Sequence, residues 1–96
     1  MRNSNEQTLK QVINEVIEEN HLGARLAEVK VIGNWEELVG RHIAKQTSKI
    51  YFMKGRLVLH IDSAPLRHEL HYTRAKIVKI VNDFAGEELI EDVMLR

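Results

Sequence analysis

The apolar residues of this chain change their spacing twice, at Thr47-Ser48 and again at Ser63, and that switch restricts the fold more than any other feature. Before the first switch, Leu9, Val12, Ile13, Val16 and Ile17 recur at helical period behind Ser4 and Gln7, which have the spacing of a capping box. A helix at about 5–20 follows, and Gly23 stands where a helix C-terminal glycine would. Leu26 and Val29 then lie on one helical face and Val31, Trp35, Leu38 and Val39 on another, displaced by well over about 90° at 100° per residue. The spacing therefore predicts a helix at about 24–45, broken near 32–34, where Asn34 and Glu37 can cap a fresh start, and weak at Gly40.

Between the two switches the pattern is that of strands. Ile50-Tyr51-Phe52-Met53 and Leu57-Val58-Leu59-His60-Ile61 are β-prone runs around Lys54-Gly55, predicting a hairpin with Leu57, Leu59 and Ile61 on the core side. After the second switch Ser63 and Pro65 open a helix read as running to Ala85, with Leu66, Leu70, Thr73, Ile77, Val81 and Phe84 as its core stripe, Ile80 widening it and Gly86 as its stop. Residues 89–95 read as a closing strand. The order is α-α-β-β-α-β. A strand–helix–strand crossover makes the last strand parallel to its predecessor, so the predicted class is α+β, a small mixed three-stranded sheet covered by helices on one face. At 96 residues the chain is read as one domain, 1–96, with no repeat or linker.

Composition excludes several kinds of chemistry. No cysteine is present, which removes disulfide frameworks, thiol catalysis and cysteine-ligated metal centres. The longest unbroken apolar run is Ile50-Tyr51-Phe52-Met53, far short of the roughly 20 residues of a bilayer span. Residues 1–20 lack the apolar stretch of a signal peptide, so the expectation is a cytoplasmic protein with no membrane partner. His68-Glu69-Leu70-His71 sets its histidines three apart, whereas the zinc-protease helix needs four; with His42 and His60 distant in sequence, neither a metal nor another cofactor is expected. No serine has a base and an oxyanion glycine around it, and no phosphate loop occurs. The expectation is a protein that is not an enzyme.

A formal net charge of zero hides a segregation. Residues 41–81 hold nine Lys/Arg against Asp62 and Glu69, while residues 1–40 hold four against seven acids and residues 82–96 one against five. The basic centre points to a polyanion-binding face. Its candidate contacts are Lys49, Lys54 and Arg56 on the hairpin and Arg67, Arg74, Lys76 and Lys79 on the third helix, where Arg67 and Arg74 fall two turns apart on one flank. Tyr51, on the sheet face opposite Ile50 and Phe52, is either a base-stacking platform or an ordinary strand tyrosine. Trp35 is either a core anchor burying about 200 Å² or a binding hot spot.

Trp35-Glu36-Glu37-Leu38-Val39-Gly40, Ile43-Ala44, Thr47, Gly55-Arg56-Leu57-Val58-Leu59, Ser63 with Leu66-Arg67-His68-Glu69-Leu70, and the closing Val93-Met94-Leu95-Arg96 form an ordered set that resembles the DciA family over nearly the whole chain. The resemblance implies a K-homology-like domain and a role in bacterial DNA replication, as loader or operator of a DnaB-type replicative helicase. Trp35, Gly40, Gly55, Glu69 and Leu70 match the family pattern, each with a packing or turn explanation of its own. Many members carry a long basic or disordered extension, and the expectation for this chain is the domain alone. None of its glycines forms the GxxG loop by which K-homology domains clamp nucleic acid. The combined reading is a nucleic-acid-binding and protein-binding module, with DNA as ligand and RNA as alternative, or else a protein-interaction module without nucleic acid. The acidic first helix, through Glu15, Glu18 and Glu19, is the expected helicase contact.

Overall fold

The computed structural model describes residues 22–96. The helix expected at 5–20, with Glu15, Glu18 and Glu19, lies outside the described residues. Three helices come first: α1 (Leu22–Gly33), α2 (Trp35–Val39) and α3 (Arg41–Gln46). The break near 32–34 and the weak point at Gly40 are both real interruptions, the second at a positive φ of 92°. Asn34 does not cap α2 through its side chain. It donates instead to the Lys30 carbonyl at 2.8 Å and so closes α1. Val31, just before the break, and Trp35, just after it, are buried, whereas Leu26 and Val29 stay exposed.

The hairpin consists of β1 (Thr47–Met53) and β2 (Arg56–Ile61), antiparallel, with Met53 opposite Arg56 across the turn. Lys54 and Gly55 both have positive φ, 49° and 75°, the conformation of a type I′ turn, whose twist matches that of the strands it joins. Pairing puts Phe52 opposite Leu57 and Ile50 opposite Leu59, on one face; Leu57, Leu59 and Ile61 are buried there as expected.

Ser63 caps α4 (Ala64–His71), accepting from the Leu66 amide at 3.3 Å, with Pro65 in the first turn. The single helix expected to run to Ala85 is divided. The amides of Tyr72 and Thr73 bond back three residues, to Glu69 and Leu70, and the Thr73 hydroxyl donates to the Leu70 carbonyl at 3.2 Å, competing with the regular ladder. A new helix, α5 (Arg74–Ala85), starts there and ends at Gly86 in the left-handed conformation, φ 74°. Its stripe buries Ile77 and Val81, but Phe84, assigned to the core from its spacing, is exposed and borders a groove beside Leu26 of α1.

The closing strand β3 (Asp92–Leu95) is shorter than the 89–95 expected. Asn82 on α5 holds the preceding residues, accepting from the Leu89 and Ile90 amides at 2.9 and 3.0 Å and donating to the Ile90 carbonyl at 2.9 Å. β3 runs parallel to β2, completing a mixed sheet of order β1-β2-β3. The class is α+β in the α-α-β-β-α-β order. The core joins Leu57, Leu59, Ile61 and Val93 of the sheet to Val31, Trp35, Leu66, Leu70, Ile77 and Val81 of the helices. Each such side chain contributes about 1.5–3 kcal/mol through burial. No helix among the described residues is long and apolar enough to cross a membrane.

Candidate nucleic-acid interface

Because side chains alternate along a strand, the residues between the core positions form a second face. On it the register sets Lys49 beside His60, Tyr51 beside Val58 and Met94, and Met53 beside Arg56 and Asp92. Val58, at the centre of this row, is fully buried yet separate from the main core cluster. Tyr51 is half-buried. Lys49 Nζ stands 5.4 Å from the Tyr51 ring centroid and the His60 ring 5.9 Å, tilted by 37°. His60 Nε2 is buried with no hydrogen-bond partner. Lys54 projects from the turn and Arg56 lies at the same end of the face; both are exposed.

The seven basic residues do not form one band. Lys49, Lys54 and Arg56 share the hairpin, and among the described residues none of them enters an ion pair. Arg67 and Arg74, expected on one helical flank, stand on separate helices because of the break at Tyr72-Thr73. Arg67 Nη1 donates to the Ile61 carbonyl at 2.6 Å, tying α4 to the end of β2. Arg74 donates to the His71 carbonyl at 3.1 Å and pairs with Asp92 at 3.5 Å. Lys79 pairs with Asp83 one helical turn on, at 2.9 Å. Lys76 borders an apolar groove of about 310 Å³ between α2–α3 and α4–α5, floored by Leu38, Ile43 and Leu70 with His42 and Glu69 at its rim.

A second aromatic feature escaped the sequence reading. Tyr72, 75% exposed, stands nearly perpendicular to the rings of His68 and His71, with ring centroids at 5.2 and 5.8 Å. Arg67, His68 and His71 line a shallow cleft with Leu95. The spacing of His68 and Tyr72, one turn apart, was the available signal. Among the described residues no group of three or more His, Cys, Asp or Glu is arranged to hold a metal ion. Trp35 is a core anchor, 5% exposed, with its indole N–H donating to the Thr47 hydroxyl at 3.1 Å.

Comparison with known proteins bears on the whole of this arrangement. The family model for DciA, described as Dna[CI] antecedent, matches residues 8–95. The chain belongs to the DciA family. It is similar to a UPF0232 protein of Corynebacterium glutamicum (strain R), 27% identical over 89 residues, which are 93% of this chain and 50% of that protein. The chain thus spans about half the length of this relative. No solved structure matches. The family match runs from the segment before α1 through the helices and hairpin to β3, so it takes in both the core anchor Trp35 and the open sheet face.

Proposed function

We propose that this DciA-family chain is a non-enzymatic module of DNA replication that binds single-stranded DNA on the open face of its sheet and docks on a DnaB-type replicative helicase. One observation carries the nucleic-acid part: Tyr51 lies on the sheet face opposite Ile50 and Phe52, with Lys49 and His60 against its ring and Arg56 and Lys54 at the same end of the hairpin. A flat aromatic surface lets any base stack, and nearby cations neutralise phosphates, a combination that binds single strands with little regard to sequence. Nothing on the face resembles the paired donors and acceptors of base-specific readout. The helicase part is supported by family membership and by the acidic character of residues 1–21.

Fluorescence anisotropy with a labelled oligothymidylate tests the nucleic-acid reading. Tyr51→Ala should weaken binding by about 1–3 kcal/mol, the usual worth of one base stacked on an aromatic ring. Tyr51→Phe, which keeps the ring, should stay close to the parent. Equal loss in the two variants, or no binding by the parent chain at low salt, overturns the proposal and leaves the sheet face an ordinary solvated surface. RNA as the ligand would appear as tighter binding of oligouridylate.

A further inference from the structure

Arg96 belongs to the Tyr51 face of the sheet, although strand β3 ends one residue before it. Its amide donates to the Leu59 carbonyl at 2.9 Å, and its carbonyl accepts from the Ile61 amide at 3.0 Å. Bonds that straddle one residue continue the parallel ladder, so Arg96 stands beside His60. The hairpin register sets Lys49 on the other side of His60. One row thus crosses all three strands, from Lys49 through His60 to Arg96. Val93 is buried in the core and Leu95 packs against it, so by alternation Met94 and Arg96 share the face of Tyr51.

This row differs from the other two on the same face. In the middle row Tyr51 is half-buried and Val58 fully buried, so little of it meets solvent. The row next to the turn sets Arg56 beside Asp92, and its charge is mixed. The third row is cationic and exposed at both ends, and among the described residues neither Lys49 nor Arg96 enters an ion pair. His60 at its centre keeps Nε2 buried without a hydrogen-bond partner, the kind of group that a bound anion satisfies. The next acid along the chain, Asp62, is exposed and pairs with neither cation.

We propose that this row is the phosphate subsite of the nucleic-acid face and that Arg96 is one of its contacts: a phosphate of the single strand sits over His60, between Lys49 and Arg96, while the neighbouring base lies on Tyr51. The inference rests on the reading of this face as a single-strand site and adds where the strand's backbone crosses it. Strands lie about 4.8 Å apart, so the backbones at Lys49 and Arg96 are about 10 Å apart, and two long side chains reach one anion from opposite sides. Their chemistry is complementary, since the lysine ammonium acts as a point charge and the arginine fork takes two phosphate oxygens at once. A bound phosphate also relieves the repulsion between two cations that have no acid between them.

Arg96→Gln in the full chain tests the row, because it removes the charge of an exposed side chain and keeps a hydrogen-bonding group there. With Arg96 added to the three hairpin cations, binding of oligothymidylate should show a log–log salt slope of about −2.8, and the variant should return it to about −2. Affinity should fall about fivefold at 0.1 M salt, the factor by which one contact worth about 0.7 per decade separates 0.1 M from 1 M. Arg25→Gln, the same loss of charge on exposed α1, should leave the slope of the parent. In the parent, the imidazole resonances of His60 should move on titration with the oligonucleotide. A parental slope in Arg96→Gln, while Tyr51→Ala still weakens binding, overturns the phosphate row and leaves the stacking reading standing. Equal losses in Arg96→Gln and Arg25→Gln, or His60 signals unmoved at saturation, overturn it too. If the parent binds no oligonucleotide at low salt, both readings fall together.

Discussion

Trp35 fills two needs at once, and its variants should separate them. Its ring is buried among core side chains while its indole N–H reaches the Thr47 hydroxyl, which in turn donates to the Ile43 carbonyl at 2.7 Å. That chain of bonds fixes the point where helix α3 becomes strand β1. Trp35→Phe keeps most of the apolar area and removes the donor, so it should cost about 1–2 kcal/mol by denaturant unfolding. Trp35→Ala adds a cavity and should cost about 3–5 kcal/mol. If Trp35 were a binding hot spot, the Phe variant would lose partner affinity with unchanged stability; burial argues for the opposite result. Arg67 carries a similar lesson. Its position in a basic run suggested a phosphate contact, yet its guanidinium is engaged with the Ile61 carbonyl. Arg67→Ala should therefore lower the unfolding midpoint, with a loss of about 1–3 kcal/mol from an unpaired, partly buried acceptor, and that stability change sets it apart from Lys49→Ala.

At the scale of elements, the hairpin turn couples stability to binding in opposite directions. Lys54 is the only described residue other than glycine at positive φ, a conformation that costs an ordinary side chain about 1 kcal/mol and costs asparagine less. Lys54→Asn should raise the melting temperature by a few degrees, since about 1 kcal/mol corresponds to about 4–8 °C in a domain of this size. The same change removes one of the hairpin cations and should weaken DNA binding. Calorimetry and anisotropy on one variant then test turn and interface together. Much at this scale was legible in the sequence, because its signals are local: Ser63 and Pro65 for a helix start, Gly86 for a stop, Lys54-Gly55 for the turn, and the alternation of Leu57, Leu59 and Ile61 for the core face. What was not legible depended on contacts distant in sequence. The break at Tyr72-Thr73 lies inside a continuous helical pattern. The shortening of the last strand follows from Asn82 reaching Leu89 and Ile90. The exposure of Phe84 depends on what packs against the end of α5, which periodicity cannot report. For the candidate site the list of basic residues was readable, but not which of them are occupied, since Asp92 and Asp83 take up Arg74 and Lys79 only once the chain is folded or helical.

At the scale of the whole molecule, the proposed function gives the two partners to stretches of opposite charge in the sequence. Lys49, Lys54 and Arg56 remain on the open sheet face, and three phosphate contacts predict a slope of log affinity against log salt of about −2 for single strands. Involvement of Arg67 and Arg74 as well would bring it to about −3.5, so the slope measures how far the interface extends beyond the hairpin. The acidic residues Glu15, Glu18 and Glu19 are the proposed helicase contact. Reversing Glu15, Glu18 and Glu19 to lysine should reduce capture of a DnaB-type helicase, since surface charge orients encounter and suppresses wrong partners. DNA affinity should hold or rise, because the reversal adds positive charge to the chain. The converse variant, Lys49→Glu with Arg56→Glu, should abolish DNA binding and leave helicase capture intact. Sedimentation of each variant with helicase, DNA or both reads the four outcomes directly. If both reversals impair both partners, the two contacts are not separate; if each impairs only its own partner, one small domain can hold helicase and single strand at the same time.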